Sequence, residues 1–145
     1  MSLGFDADAL ARAAGEALQS RDRVGSSWGI EILEVRPGFA RLRLRTRSDM
    51  LNGHDIVHGG ILFTLADTAL AYAANSRNIP TLTQQASISY LNSAREGDVL
   101  IAEAREHTLV GRTGTYDVDV RTEAGRVLAV LLGLTRSIGA EVIQR

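Results

Sequence analysis

The chain contains no cysteine and no lysine; all 16 of its basic residues are arginine. Absence of cysteine removes disulfides, thiol nucleophiles and thiolate metal sites together, and it is compatible with a reducing compartment. The arginine-only usage fits a GC-rich coding bias, although the planar guanidinium also suits bidentate phosphate binding. No charge of either sign dominates: 16 basic residues face 17 acidic ones, for a net charge of -1. That removes the electrostatic case for a nucleic-acid or anionic-membrane partner. No apolar run approaches the roughly 20 residues of a membrane span. The opening "MSLGFDADALARAAGEALQSRDR" mixes acids and arginines where a secretory signal carries an unbroken apolar stretch. A soluble cytoplasmic protein is expected. At 145 residues the chain suits a single domain, residues 1–145, that buries roughly two thirds of its unfolded surface without staples.

Hydrophobic periodicity orders what is present. From Asp6 to about Gln19, Leu10, Ala13, Ala14, Ala17 and Leu18 recur at helical spacing, with Asp6 or Asp8 as N-cap. Residues 1–24 therefore read as a helical extension. "WGIEILEVRPGFARLRLRT" alternates on both sides of Pro37-Gly38, with Leu42 and Leu44 between Arg41, Arg43 and Arg45, and reads as a hairpin with one wet face. A polar stretch, "RSDMLNGHDIVHGG", leads into a long apolar helix, and four strand-like segments follow. Strand runs around one long helix predict an α+β architecture in which an antiparallel sheet wraps that helix. The last strand sets Leu128, Val130, Leu132 and Leu134 against Val127, Ala129 and Leu131. It reads as buried on both faces or paired with another subunit.

Two motifs match by letter and fail by context. "GSSWG", Gly25 to Gly29, fits G-x-S-x-G with Ser27 as nucleophile, but the elbow needs an apolar strand before it and a helix after it. "HDIVH", His54 to His58, resembles a zincin motif with His107 as a third ligand. Two histidines at i and i+4 converge only on a continuous helix, and Gly53 and Gly59-Gly60 flank this pair. No metal site is expected.

"HGGILFTLADTALAYAANS", residues 58 to 76, carries the chemistry. Thr64, Asp67, Thr68, Ala71 and Asn75 fall at offsets 0, 3, 4, 7 and 11, along one stripe. Asp67 is the sole ionisable group between His58 and Arg77 apart from Tyr72. A solvated stripe normally carries Lys, Arg or Glu, so this small polar stripe suits the wall of a narrow cleft. A carboxylate there is either functional or a structural group satisfied by hydrogen bonds. The glycines at the helix entry admit two readings as well. They form a plain glycine-rich start, or they bare backbone N–H groups at the positive end of the helix, where a developing oxyanion is held.

At these residues the chain resembles the hot-dog-fold acyl-CoA thioesterases, specifically the phenylacetic acid degradation (PaaI-type) group. That pattern has Asn-Gly, then His-Gly-Gly, then a helical Asp; here Asn52 is followed by His58 six residues later and Asp67 nine after that. The resemblance covers about residues 25–139. It implies a hot-dog fold and hydrolysis of a small, aromatic acyl-CoA without cofactor. Asp67 is the implied catalytic carboxylate, acting as general base on water or as nucleophile through an anhydride. The Gly59 N–H polarises the thioester carbonyl, Asn52 places substrate or water, and His58 organises the loop. Gly60 and Thr83 belong to the substrate site, Thr83 where relatives carry a Ser or Thr beside the attacking water. Phe63, Leu62 and Tyr72 are implied to line the acyl pocket, and Arg112 and Arg136 to meet the CoA phosphates. The resemblance further implies a homodimer building a homotetramer, with Asp67 and Gly59 of each site drawn from different subunits.

Other functions are separable on the same residues. Hydration of enoyl-CoA on this fold pairs an Asp with a His about five residues later, where this chain has Tyr72. An acyl-CoA sensor normally adds a DNA-binding segment, and the 24 residues before the first expected strand hold no basic cluster. Acyl-CoA binding without turnover is the remaining alternative.

Overall fold

The computed structural model describes residues 6–144; residues 1–5 of the expected extension and Arg145 lie outside it. Helix α1 (Ala7–Arg21) starts at Asp6, whose side chain accepts from the Ala9 N–H at 2.7 Å, which decides between the two candidate caps. Helix α2 (Arg23–Trp28) follows at once. Alternation alone predicts a strand from Trp28 onward. Instead Asp22 accepts from the Gly25 N–H at 2.9 Å, and Gly29 closes the turn at φ 74°, so a cap at each end makes six residues helical.

Strands β1 (Glu31–Arg36) and β2 (Phe39–Arg45) form the expected hairpin, with Gly38 at φ 72° in its tight turn. Helix α3 (Gly59–Ala74) precedes β3 (Thr81–Tyr90), β4 (Val99–Val110), β5 (Thr113–Thr122) and β6 (Val127–Ser137). All pair antiparallel in the order β1-β2-β4-β5-β6-β3. Both β1 and β3 are therefore edges. Among the described residues no helix is long and apolar enough to cross a membrane.

Helix α3 packs across one face of this sheet. Leu62, Leu65, Ala66, Ala69 and Leu70 face strand residues such as Leu42, Leu100 and Leu131, all buried. Each such leucine contributes about 2 kcal/mol by leaving water. The helix lies close because Gly133 has no side chain: a Cβ there would stand 2.5 Å from Leu70 Cδ2.

Within a single chain the last strand is buried on one face only. Ala129, Leu131, Gly133 and Thr135 face α3 and are buried, while Val130 and Leu132 on the other face are 41% and 61% exposed. Leu128, expected on the face of Val130 and Leu132, lies in the core. The β5–β6 register slips there, pairing Val120 with Ala129 and Arg121 with Val127, so Leu128 is the extra residue of a bulge.

The outer face of β2, β4 and β5 is the expected wet face, and it carries an ion network around one buried carboxylate. Glu103, its side chain 3% exposed, accepts from Arg41 at 2.7 Å, Arg121 at 2.6 Å and also Arg105. Asp119 bridges Arg105 and Arg121, and the Arg36 guanidinium stacks 3.9 Å over the Phe39 ring. Hydrogen bonding by Arg121, then by Arg41, outweighs burial and holds the Glu103 carboxyl down at about 2. The depressed value means that its stabilisation is complete above the ordinary carboxyl range and is lost as pH falls through about 2. Glu103→Gln should lower the unfolding free energy at neutral pH by about 1–3 kcal/mol, the scale of hydrogen bonds to charged groups. Urea midpoints of the two proteins should differ most above pH 4.5 and converge towards pH 2.

Candidate active site

The helix entry is built by the loop before it. Leu51 and Val57 form an isolated antiparallel bridge, and Asn52 fills the turn between them: its Oδ1 accepts from the His54 N–H at 2.9 Å and its N–H donates to the Ile56 carbonyl at 2.8 Å. This turn carries Asp55 at φ 57°. His58 then caps α3, its Nδ1 accepting from the Gly60 N–H at 2.9 Å. That bond places the ring hydrogen of the neutral imidazole on Nε2.

Two expected donors are thereby distinguished. The Gly60 N–H is engaged by His58, whereas the Gly59 N–H makes no hydrogen bond among the described residues. Neither glycine is at positive φ. Each is bare because something packs on it: a Cβ at Gly59 would meet Tyr90 Cζ at 3.1 Å, and one at Gly60 would meet His58 Nδ1 at 3.2 Å. Tyr90 also donates its hydroxyl hydrogen to the Gly59 carbonyl at 3.1 Å. Sequence reasoning misses Tyr90. Its signal is the alternation of Ala86, Ile88 and Tyr90, which β3 turns toward the helix side.

Asp67 stands two turns along α3, half-buried, where Thr83 Oγ1 donates to its Oδ1 at 3.0 Å. Beside the pair is an open groove of about 250 Å³ lined by Phe63, Asp67, Thr83, Gln84, Gln85 and Ala86. Gln84 is the extra residue where the β3–β6 register shifts between Thr83 and Gln85, so a bulge shapes the groove floor. Gly59 and Asp67 are eight residues apart, which at 1.5 Å per residue is about 12 Å along the helix. No single reacting carbonyl in one chain reaches both.

The remaining expected residues divide. Phe63 joins Asp67 in the groove. Leu62 does not, because it is 3% exposed and faces the core. Tyr72 lines a different cavity of about 410 Å³, between α1, α3 and the C-terminal segment, and donates to Asp22 Oδ2 at 3.1 Å. Burial first, then the neighbouring Asp22 charge, pushes the Tyr72 phenol pKa upward. Asn75, read as part of the cleft stripe, is instead a clamp: its side chain donates to the Ala71 and Thr81 carbonyls and accepts from the Thr81 N–H. It fixes the start of β3. Arg112, in the β4–β5 turn, and Arg136, on β6, are exposed neighbours, with the Ser137 N–H bonded to the Arg112 carbonyl at 2.9 Å. Neither guanidinium has an ion pair or hydrogen bond among the described residues, and both remain apart from the Asp67 groove. Ser27 lies inside α2, donating to the Val24 carbonyl, so it is no nucleophile elbow. His54 sits in a turn, His58 caps a helix and His107 lies on β4, so no helix aligns them.

The thioesterase superfamily matches the chain over residues 54–129. The acyl-coenzyme A thioesterase PaaI of Escherichia coli K12 is 34% identical over 126 residues, 87% of this chain and 90% of that protein. The E. coli PaaI structure, from the phenylacetic acid degradation operon, superposes with a TM-score of 0.92 at 32% identity, covering 94% of this chain and 99% of that one. The TT0310 protein of Thermus thermophilus aligns at a TM-score of 0.78 and 35% identity over 81% of this chain and 99% of its own. A hypothetical thioesterase of Streptococcus pneumoniae, solved with coenzyme A, aligns at 0.74 and 28% over 77% and 88%. In sequence and in its hot-dog sheet and helix, this chain belongs to the thioesterase superfamily.

Proposed function

We propose that this protein hydrolyses acyl-CoA thioesters in a site completed by two copies of the chain. The observation that carries the reading is the separation on α3. A free amide donor at Gly59 and a carboxylate at Asp67 are the two parts that thioester hydrolysis needs, and about 12 Å of helix keeps them apart. An antiparallel second helix brings each to the other's counterpart. The homologous acyl-CoA thioesterase and the coenzyme A complex support the substrate class. Variants of the S. pneumoniae thioesterase, solved with an Asp or a Thr replaced by Ala, alter residues with the same sixteen-residue separation as Asp67 and Thr83.

In this mechanism the thioester carbonyl oxygen accepts from the Gly59 N–H of one copy. Asp67 of the other takes a proton from water as the water oxygen bonds to the carbonyl carbon. Thr83 engages Oδ1 and leaves Oδ2 for that water. Collapse of the tetrahedral oxyanion breaks the C–S bond, and the CoA thiolate recovers the proton from Asp67. His58 keeps the Gly59 amide aimed outward by holding the next one, and the Asn52 turn holds His58 in place. Phe63 closes the groove around a small acyl group. The operon of the E. coli homologue favours an aromatic acyl group such as phenylacetyl. Arg112 and Arg136, free of protein partners among the described residues, suit the CoA phosphates. The dimers are further proposed to pair into a tetramer.

Free-thiol release from a panel of aliphatic and aryl-acetyl CoA esters tests the activity. Asp67→Asn and Asp67→Ala should each lower turnover at least about a hundredfold, the low end for loss of a positioned acid-base group; a smaller loss refutes the role. A wild type that binds these esters without releasing thiol is a binding protein instead. A single turnover in oxygen-18 water should label the product acid at once, whereas attack by Asp67 itself would first label the enzyme.

The shared site has its own test. Gly59→Pro removes the N–H at the first helical position, where proline's φ is compatible and its Cβ displaces the half-exposed Tyr90 ring, and Asp67→Ala removes the carboxylate. Each variant alone should be nearly inactive. After unfolding and refolding together, half of the dimers are mixed and each holds one intact site, so about a quarter of wild-type activity should return.

A further inference from the structure

Resting on the reading of Gly59 as the oxyanion donor, we infer that Tyr90 is a positioning residue of the reaction, fixing the first residue of α3 so that the Gly59 N–H is held ready for substrate. The starting observation is a single gap in a row of hydrogen bonds. Val57 donates its N–H to the Ala94 carbonyl at 2.8 Å, and His58 donates to the Met50 carbonyl at 2.8 Å. Gly60 donates to His58 Nδ1 at 2.9 Å, and Ile61 to the His58 carbonyl at 2.9 Å. Of the five consecutive N–H groups from residue 57 to residue 61, that of Gly59 alone has no partner among the described residues.

A free amide serves a transition state best when it is already aimed, since a donor that must first turn into place loses part of its effect. Glycine at the first position of a helix does not hold itself still. It has no Cβ to pack, and its backbone is the most permissive of any residue. Tyr90 supplies both missing restraints. Its ring lies where a Gly59 side chain would stand, with Cζ, Cε1 and Oη at 3.1, 3.2 and 3.3 Å from the place of a Cβ. Its hydroxyl donates to the Gly59 carbonyl at 3.1 Å. The two peptides that meet at the Gly59 Cα have four polar groups, and three are engaged: the His58 carbonyl by Ile61, the Gly60 N–H by His58 and the Gly59 carbonyl by Tyr90. Neither peptide plane can rotate without breaking one of these bonds. The fourth group, the Gly59 N–H, is thereby held in one direction.

The phenol is itself held. β3 keeps its ladder to the last residue, with Tyr90 opposite Ala129. Just beyond, the Leu91 and Asn92 N–H groups both donate to the Leu128 carbonyl, at 2.8 and 3.2 Å, and the Asn92 side chain donates to the Val127 carbonyl at 2.7 Å. Ala94, two residues on, receives the Val57 N–H. The end of β3 and the entry of α3 are thus stitched together on both sides of the donor. The Tyr90 hydroxyl carries one hydrogen and directs it at the Gly59 carbonyl. Tyr90 is therefore not a second oxyanion donor; it acts through Gly59.

Tyr90→Phe keeps the ring and removes the hydroxyl. With whichever ester of the panel the wild type hydrolyses fastest, it should lower kcat about tenfold and leave KM within about twofold, because the donor matters more to the oxyanion than to the ground-state carbonyl. Tyr90→Ala also uncovers the Gly59 Cα. Its kcat should fall further, toward the loss of about a hundredfold or more that follows removal of an oxyanion donor. A residue that only supported the fold would instead lower the thermal midpoint and raise KM. The amides report the cause directly: in protein labelled with nitrogen-15 at its 14 glycines, Tyr90→Phe should shift the resonances of Gly59 and Gly60 and speed hydrogen exchange at Gly60. Those of Gly111 and Gly125 should stay in place. An unchanged kcat, a loss confined to KM, or unmoved Gly59 and Gly60 amides overturns the role of Tyr90. If Gly59→Pro and Asp67→Ala nonetheless abolish turnover, the hydrolytic reading stands without it; if Gly59→Pro turns over normally, both fall.

Discussion

Leu70 presses against the bare Cα of Gly133, and the depth at which α3 lies on the sheet follows from that contact. Any side chain on β6 there lifts the helix, and with it Asp67 from Thr83 and Gly59 from Tyr90. Those two contacts are held by strand β3, which itself pairs with β6. Core packing and site geometry are thus set by the same three elements. Asn75 adds the fixed corner, binding the end of α3 to the first residue of β3 so that helix and strand cannot slide past each other.

The long helix was legible because its apolar residues recur at 3.6 and because its boundary is chemical, a cap residue followed by two glycines. The architecture was legible for a related reason: six strands around one apolar helix leave few ways to cover it. α2 escaped because six residues are too few to show a period; only the Asp22 and Gly29 caps announce it. Leu128 escaped because alternation assumes a constant period of two, and a bulge breaks that period without any mark in the letters. Glu103 reads in sequence as one more acid on an alternating strand. Only the register across three strands puts Arg41 and Arg121 beside it.

In the candidate site, spacing carried further than direction. Asp67, His58 and Gly59 could be singled out because a lone carboxylate in an apolar helix and bare amides at its start are both unusual. Direction failed for Asn75, since a stripe says which residues share a side and not what that side meets, and for Leu62 and Tyr72, which the resemblance implied for the acyl pocket and which lie outside the Asp67 groove. Leu62 meets the core, and Asn75 meets backbone. The pairing of Gly59 with Tyr90, thirty-one residues apart, depends on how β3 returns beneath the helix entry and has no local signature.

Tyr90 has a mechanical consequence. It is the last residue of the free edge strand, and its hydroxyl holds the first residue of α3. The free edge strand and the Gly59–Gly60 peptide, whose N–H is held by His58, are therefore joined by one phenol. Tension or twist imposed along that edge is transmitted to the tilt of the first peptide of α3.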